Sequence, residues 1–232
     1  MIILVKLFLA HILGDFLLQP NSWVADKEKK KHKSISLYIH IALHGFLAFI
    51  LVGKTDFLGL AIVLAATHGF IDFAKLHFQK HKTRRTWFMV DQALHVLVIL
   101  GITYLYTNEF LEFPAIENSF WILITSIIFL TKPTSIVIKN VISIWTPENK
   151  NQHDDSLSNA GNYIGILERL FVFSFIITGH FEAIGFLLAA KSIFRFGDLK
   201  EAKDRKLTEY VLIGTLLSFG IALLAGLIVG IL

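Results

Sequence analysis

The chain has 232 residues, 54% of them hydrophobic and 17% charged, with a formal net charge of +4 and no cysteine. With a mean hydropathy of +0.62, this is the composition of a polytopic membrane protein and not of a soluble one. The lack of cysteine excludes disulfides and thiolate metal sites. The basic residues gather in loops, where they report topology and call for no nucleic-acid partner.

Apolar runs of about 17–25 residues, the length a helix needs to cross the hydrocarbon core, predict an all-α transmembrane bundle of about eight spans. They lie near 2–19, 35–53, 56–78, 86–107, 119–142, 163–179, 181–197 and 209–231. The first run carries His11 and Asp15 and lacks the basic region and small-residue cleavage site of a signal peptide, so it reads as a span. Pro20 closes it. The fifth contains Lys132 and Pro133, and the proline predicts a kink or break there. Residues 1–108 then form a duplicated four-helix half, and 109–232 a second four-helix half. The latter carries a polar linker at 143–162, either a plain connection or a gate.

The loops orient the bundle. Lys27, Lys29, Lys30, Lys31 and Lys33 follow the first span, Lys80, Lys82, Arg84 and Arg85 the third, and Lys200, Lys203, Arg205 and Lys206 the seventh. The alternate connections hold Lys54 alone or the acidic Glu109, Glu112 and Glu117. Positive-inside reasoning puts the basic linkers in the cytoplasm and both termini outside.

Within the first half one pattern is written twice. His11-Ile-Leu-Gly-Asp15-Phe16 returns as His68-Gly-Phe-Ile-Asp72-Phe73, and His40-Ile-Ala-Leu-His44 is answered by Asp91-Gln-Ala-Leu-His95. Each of the four spans thus carries two metal-ligand-type side chains at i, i+4, on one helix face. A helical rise of about 1.5 Å per residue puts His11, His44, His68 and His95 roughly 12–15 Å above the cytoplasmic end. Asp15, His40, Asp72 and Asp91 come out roughly 6–9 Å above it. A single His-x-x-x-Asp pair in a membrane helix is commonly a packing hydrogen bond. Four pairs at one depth call for a purpose that offsets the cost of burying them.

Imidazoles with carboxylates, and no thiolate, suit Zn²⁺ first, with Mn²⁺ or Fe²⁺ as alternatives. Eight candidate ligands exceed one tetrahedral site, and fit two ions or one ion with orienting carboxylates around it. Gly14 and Gly69 lie beside the ligands, where small residues permit close helix approach. In the second half, Glu168-Arg169, Lys191 and Arg195 lie in the cytoplasmic leaflet. Lys191 and Arg195 either snorkel to the interface or, with Arg169, form an anion clamp.

These residues resemble a known family. His11-x-x-x-Asp15-Phe-Leu-Leu-Gln19, His68…Asp72…Lys75 and Asp91-Gln92-x-x-His95 are similar to the bacterial membrane-protein family called domain of unknown function 3307. The segments 161–169, 190–192 and 209–218 are similar to the C-terminal part of its longer members. The resemblance implies a bacterial inner-membrane protein and supplies no activity.

Function is therefore read from the site. The first expectation is a metal-dependent membrane hydrolase opening to the cytoplasmic leaflet. Asp15, Asp72 and Asp91 would act as ligands or, one of them, as general base. Arg169, Lys191 and Arg195 would hold the anionic group of a phosphate-bearing or other amphiphile. The alternatives are a divalent-cation or proton-coupled transporter, and a non-catalytic sensor or assembly protein with a structural metal.

Overall fold

The computed structural model describes residues 2–108, 119–146, 155–199 and 205–231. Within these helices the side chains of 119, 155–159, 194–199, 205–207 and 231 lie outside the description. Among the described residues there are ten α-helices and no strand. The chain divides into two compact units, 1–125 and 126–232.

In the first unit, α1 (Ile2–Ile12) runs into a π-helical turn, Leu13–Leu17, closed by Leu18 N–H donating to Leu13 O at 2.8 Å. Pro20 then forces an extended backbone, and α2 (Asn21–Lys30) leaves at 82° to the first helix. α3 (Ile35–Val52) ends on Gly53, whose φ of 71° only a glycine adopts freely. α4 (Leu58–Phe78) and α5 (Arg84–Thr107) complete the unit, and α6 (Ser119–Phe129) begins at its edge. α1 packs on α3 and α5, α3 on α4, and α4 on α5, which closes a ring of four.

The residue pattern of this ring is inside-out for water and right for lipid. Phe70, Ile35 and Phe46 are more than half exposed, whereas His40, His44 and Asp91 are buried. One end of the ring is filled by Ile3, Leu7, Ala10, Ala48, Val52, Phe57, Ala61, Leu64, Ile99 and Ile102. All of these precede the histidines on α1 and α4 and follow them on α3 and α5, so they lie on one side of the polar cluster.

By length and composition five helices can cross a bilayer: Ile35–Val52, Thr55–Phe78, His81–Thr107, Ala160–Ile177 and Thr208–Gly230. Two bent pairs, Ile2–Leu17 with Asn21–Lys33 and Phe120–Phe129 with Lys132–Trp145, raise the number to seven. The chain is thus a polytopic integral membrane protein. The eighth expected span, 181–197, falls in α9 (Phe181–Leu199), whose side chains from 194 onward are outside the description. The polar linker at 143–162 lies largely outside the described residues as well. A difference from the sequence reading lies at 21–30, expected as a basic connection and found as a helix. Trp23, Val24, Lys27 and Lys31 recur at helical spacing there, and lysine is among the better helix formers.

In the second unit, α7 (Lys132–Ile142) packs on α8 (Asp155–Ile177), α8 on α9, and α10 (Arg205–Ile231) on α7 and α8. The break expected at Pro133 is present, with a 45° bend. Proline offers no N–H to Phe129 O, and the Thr134 hydroxyl donates to it instead at 2.6 Å. Arg169, 3% exposed, supplies the next acceptors: Nε donates to Leu130 O at 2.6 Å and Nη2 to Thr131 O at 3.1 Å. Its remaining donors reach Ser135 Oγ at 2.6 Å and Ser218 Oγ at 3.1 Å.

Arg169→Met should therefore strand the Leu130 carbonyl and the Ser218 hydroxyl at a buried helix break, at about 1–3 kcal/mol for each group left unsatisfied, while Thr131 O keeps Ser135 N–H and Oγ–H. The expected result is a drop of several degrees in the thermal unfolding midpoint of detergent-purified protein, with Arg169→Lys falling between variant and wild type.

Candidate metal centre

Five imidazoles and three carboxylates meet inside the four-helix ring of the first unit. The π turn of α1 carries Asp15 inward, and π bulges of this kind recur where a helix must re-aim a functional side chain. Asp15 Oδ1 gathers three imidazole nitrogens: His44 Nε2 at 3.0 Å, His40 Nε2 at 3.1 Å and His68 Nε2 at 3.5 Å. His11 Nε2 lies 3.8 Å from the other oxygen, which accepts from Gln92 Nε2 at 3.0 Å. The rings crowd one another. His44 stacks on His68 with centroids 3.6 Å apart, and His68 and His95 are at 4.0 Å.

Metal–nitrogen and metal–oxygen bonds of about 2.0–2.2 Å put neighbouring ligand atoms of a tetrahedral ion about 3.3 Å apart. Three groups of side chains offer ligand atoms all within 4.8 Å of one another: His11, Asp15, His44 and His68; His40, His68 and Asp72; and Asp15, Asp91 and His95. All eight residues expected as ligands from the sequence are thus brought together. Asp15 and His68 each belong to two groups, which ties the three into one centre.

The hydrogen-bond accounting points to unmet ligand capacity. Both ring nitrogens of His95, the Asp91 Oδ1 atom and His44 Nδ1 are buried without a hydrogen-bond partner among the described residues. His95 Nδ1 and Asp91 Oδ1 face each other at 3.9 Å. Natively buried polar atoms are nearly always partnered, and two of these atoms side by side form the donor set that a borderline divalent ion prefers. The residues present therefore fit a metal of the zinc type.

Four further residues hold the centre. Gln92 bridges His11 at 3.2 Å, Asp15 and Asp91. The Gln19 amide Nε2 lies 2.9 Å from His40 Nε2. Lys75 donates to Asp91 Oδ2 at 2.7 Å, and Lys27 from α2 donates to Asp72 Oδ2 at 2.8 Å. Three carboxylates and two ammoniums leave a formal −1, so the buried carboxylates are largely neutralised inside the protein. Gln19, Lys75 and Gln92 are visible in the sequence only through the family resemblance, and Lys27 only as one of the basic residues after the first span. The signal for Lys27 was its spacing from Trp23 and Val24 on α2, which puts it on one face with Lys31. Lys31 Nζ donates to Leu76 O at 2.6 Å on α4.

Gly14 faces the imidazole of His44 so closely that a Cβ would overlap the ring. Gly69 stands in the same relation to the Ile41 side chain. The residues expected as an anion clamp belong to the second unit. Arg169 has its donors engaged at the α6–α7 break, Lys191 pairs with Glu168, and the Arg195 side chain lies outside the described residues.

A family model described as protein of unknown function (DUF3307) matches residues 3–143, more than half of the chain and all of the clustered side chains. No curated protein and no solved structure matches the chain.

Gly14→Ala should push the His44 ring off Asp15 and loosen metal binding by about 10–100-fold, the usual cost of disturbing groups that orient ligands. Gly69→Ala, which presses on Ile41 instead, should lower thermal stability while leaving the metal dissociation constant within a few-fold. Competitive titration of both variants against a zinc chelator distinguishes these outcomes.

Proposed function

We propose that this chain, which belongs to the DUF3307 family, is a metal-dependent membrane hydrolase working at the cytoplasmic leaflet of the bacterial inner membrane. The proposal includes eight spans, with both termini outside and the centre in the cytoplasmic half. The observation that carries it is the buried, unpartnered pair of His95 and Asp91 Oδ1 beside a carboxylate that already gathers three imidazoles.

Asp15, Asp91 and His95, with His11, His44 and His68 around them, would hold the ion. When bound, a zinc-type ion would supply Lewis acidity and a water activated near neutral pH. The chain's own groups do the rest. Gln92 orients Asp15 and Asp91, and Lys75 holds the second oxygen of Asp91, which fixes the carboxylate toward His95. Asp72, paired with Lys27, is the carboxylate left for proton transfer, and the two lysines are the cations available to an anionic substrate group. A phosphate-bearing amphiphile fits a centre that lies beyond the bilayer's midplane and near basic residues.

The duplicated pairs also favour a second reading, divalent-cation transport. The ten apolar residues that fill the ring on the far side of the histidines weigh against it, because an ion would have to pass between them.

Elemental mass spectrometry of detergent-purified protein should give at least one equivalent of zinc, manganese or iron. A His95→Ala/Asp91→Asn variant should lose it. Release of inorganic phosphate from a dispersed lipid phosphate monoester should stop on chelation and return with Zn²⁺ or Mn²⁺. Metal-driven uptake into proteoliposomes without hydrolysis would replace this reading with transport, and metal-free wild-type protein would remove both.

A further inference from the structure

Two lysines reach into the centre, and they do so differently. Lys75 occupies Asp91 Oδ2 and leaves Oδ1 turned to His95. Lys27 occupies Asp72 Oδ2, the very oxygen that faces His40 Nε2 at 3.6 Å. In the group of His40, His68 and Asp72, then, the ammonium sits on the ligand atom itself. His40 and His68 there satisfy each other, Nε2 to Nε2 at 3.1 Å. No atom of this group is among the unpartnered ones, in contrast to the Asp91–His95 side.

Lys27 arrives from outside the repeat. From Asp15 to His40 the chain advances 25 positions (40 − 15), whereas the matching step from Asp72 to Asp91 takes 19 (91 − 72). The six extra residues accommodate α2, and α2 is pinned down on several sides. Lys31 bonds Leu76 O at the end of α4, and Glu28 meets Arg84 at 2.7 Å at the start of α5. Asp26 accepts from Ser34 at 2.5 Å and Ser36 at 3.1 Å at the start of α3. The helix thus lies over the end of the ring where the carboxylates are, and Lys27 is only 6% exposed.

We propose that the centre contains a second cation position, formed by His40, His68 and Asp72, which the Lys27 ammonium fills in place of a divalent ion. The inference rests on the metal reading of the same cluster. It makes the resident centre a metal–ammonium pair with a single ion, and it makes α2 the tether that sets its nuclearity. An ammonium supplies one positive charge and three donors but no coordination sites. Removing it leaves a carboxylate oxygen facing two imidazoles, a three-ligand site of the type that keeps a position open.

The test is Zn²⁺ stoichiometry on the full chain in detergent, by titration with elemental analysis. Wild type and Lys27→Arg should bind one equivalent. Lys27→Met should bind two, and Lys27→Met/His40→Ala should return to one. Far-UV circular dichroism and a size-exclusion elution volume matching wild type show that the variants are folded. Two equivalents in wild type, or one in Lys27→Met, would overturn the inference while leaving the metal reading in place. One equivalent appearing only in Lys27→Met would keep the second position and remove the resident ion. No binding in any variant would remove both.

Discussion

Asp15 is the contact on which the first unit depends. Its carboxylate touches all three other helices of the ring: α3 through His40 and His44, α4 through His68, and α5 through Gln92. In a bilayer, apolar surface gives helices little reason to prefer one another over lipid, so packing and polar contacts decide which faces meet. A carboxylate hydrogen-bonded to His44 and Gln92, with His68 3.5 Å away, ties down the rotation of each partner helix about its axis. The same contact explains the π turn, which brings Asp15 inward, and Gly14, whose missing side chain leaves room for the His44 ring. Burying the carboxylate without these donors would cost several kcal/mol, so helix arrangement and site geometry are one problem with one solution.

The repeat is not symmetric in its chemistry. Where the first copy has His40, the second has Asp91, and the neighbouring partner changes with it. Neutral Gln19 lies against the imidazole, and cationic Lys75 against the carboxylate. This one exchange of ring for carboxylate comes with an exchange of amide for ammonium, so the added carboxylate brings no added net charge. Asp72, with no such partner on α1, takes its cation from α2 instead. The two hairpins thus form unlike halves of one centre, and three of the four unpartnered ligand atoms belong to Asp91 and His95, the fourth being His44 Nδ1.

Much of this was legible in the chain because membrane helices obey few rules strictly. The i, i+4 spacing put His11 with Asp15 and Asp91 with His95 on single faces, and loop charge with helical rise put all four pairs at one depth. Pro133 announced the break in the α6–α7 pair. Lys27 was hidden because a lysine among lysines reads as loop charge, and only the path of α2 after Pro20 decides that it turns inward. Arg169 was hidden for another reason. Its partners are backbone carbonyls of Leu130 and Thr131, at a helix break next to a proline 36 positions away (169 − 133), and no side-chain pattern records a carbonyl at a break. A membrane arginine invites a search for an anion, but acceptors left by a broken helix satisfy it equally well.

The position of the apolar plug constrains function more than the ligands do. His and Asp side chains serve catalysis, transport and structure alike. Ten apolar side chains, Phe57, Leu7 and Ile99 among them, fill the ring beyond the histidines. Conduction would require all four helices to separate there, losing buried contacts on every face at once. On the other side lies α2, and lifting it breaks the Lys27–Asp72 pair, the Lys31–Leu76 bond, the Glu28–Arg84 contact and the bonds of Asp26 to Ser34 and Ser36. The second route disturbs one short polar helix and the first disturbs the core.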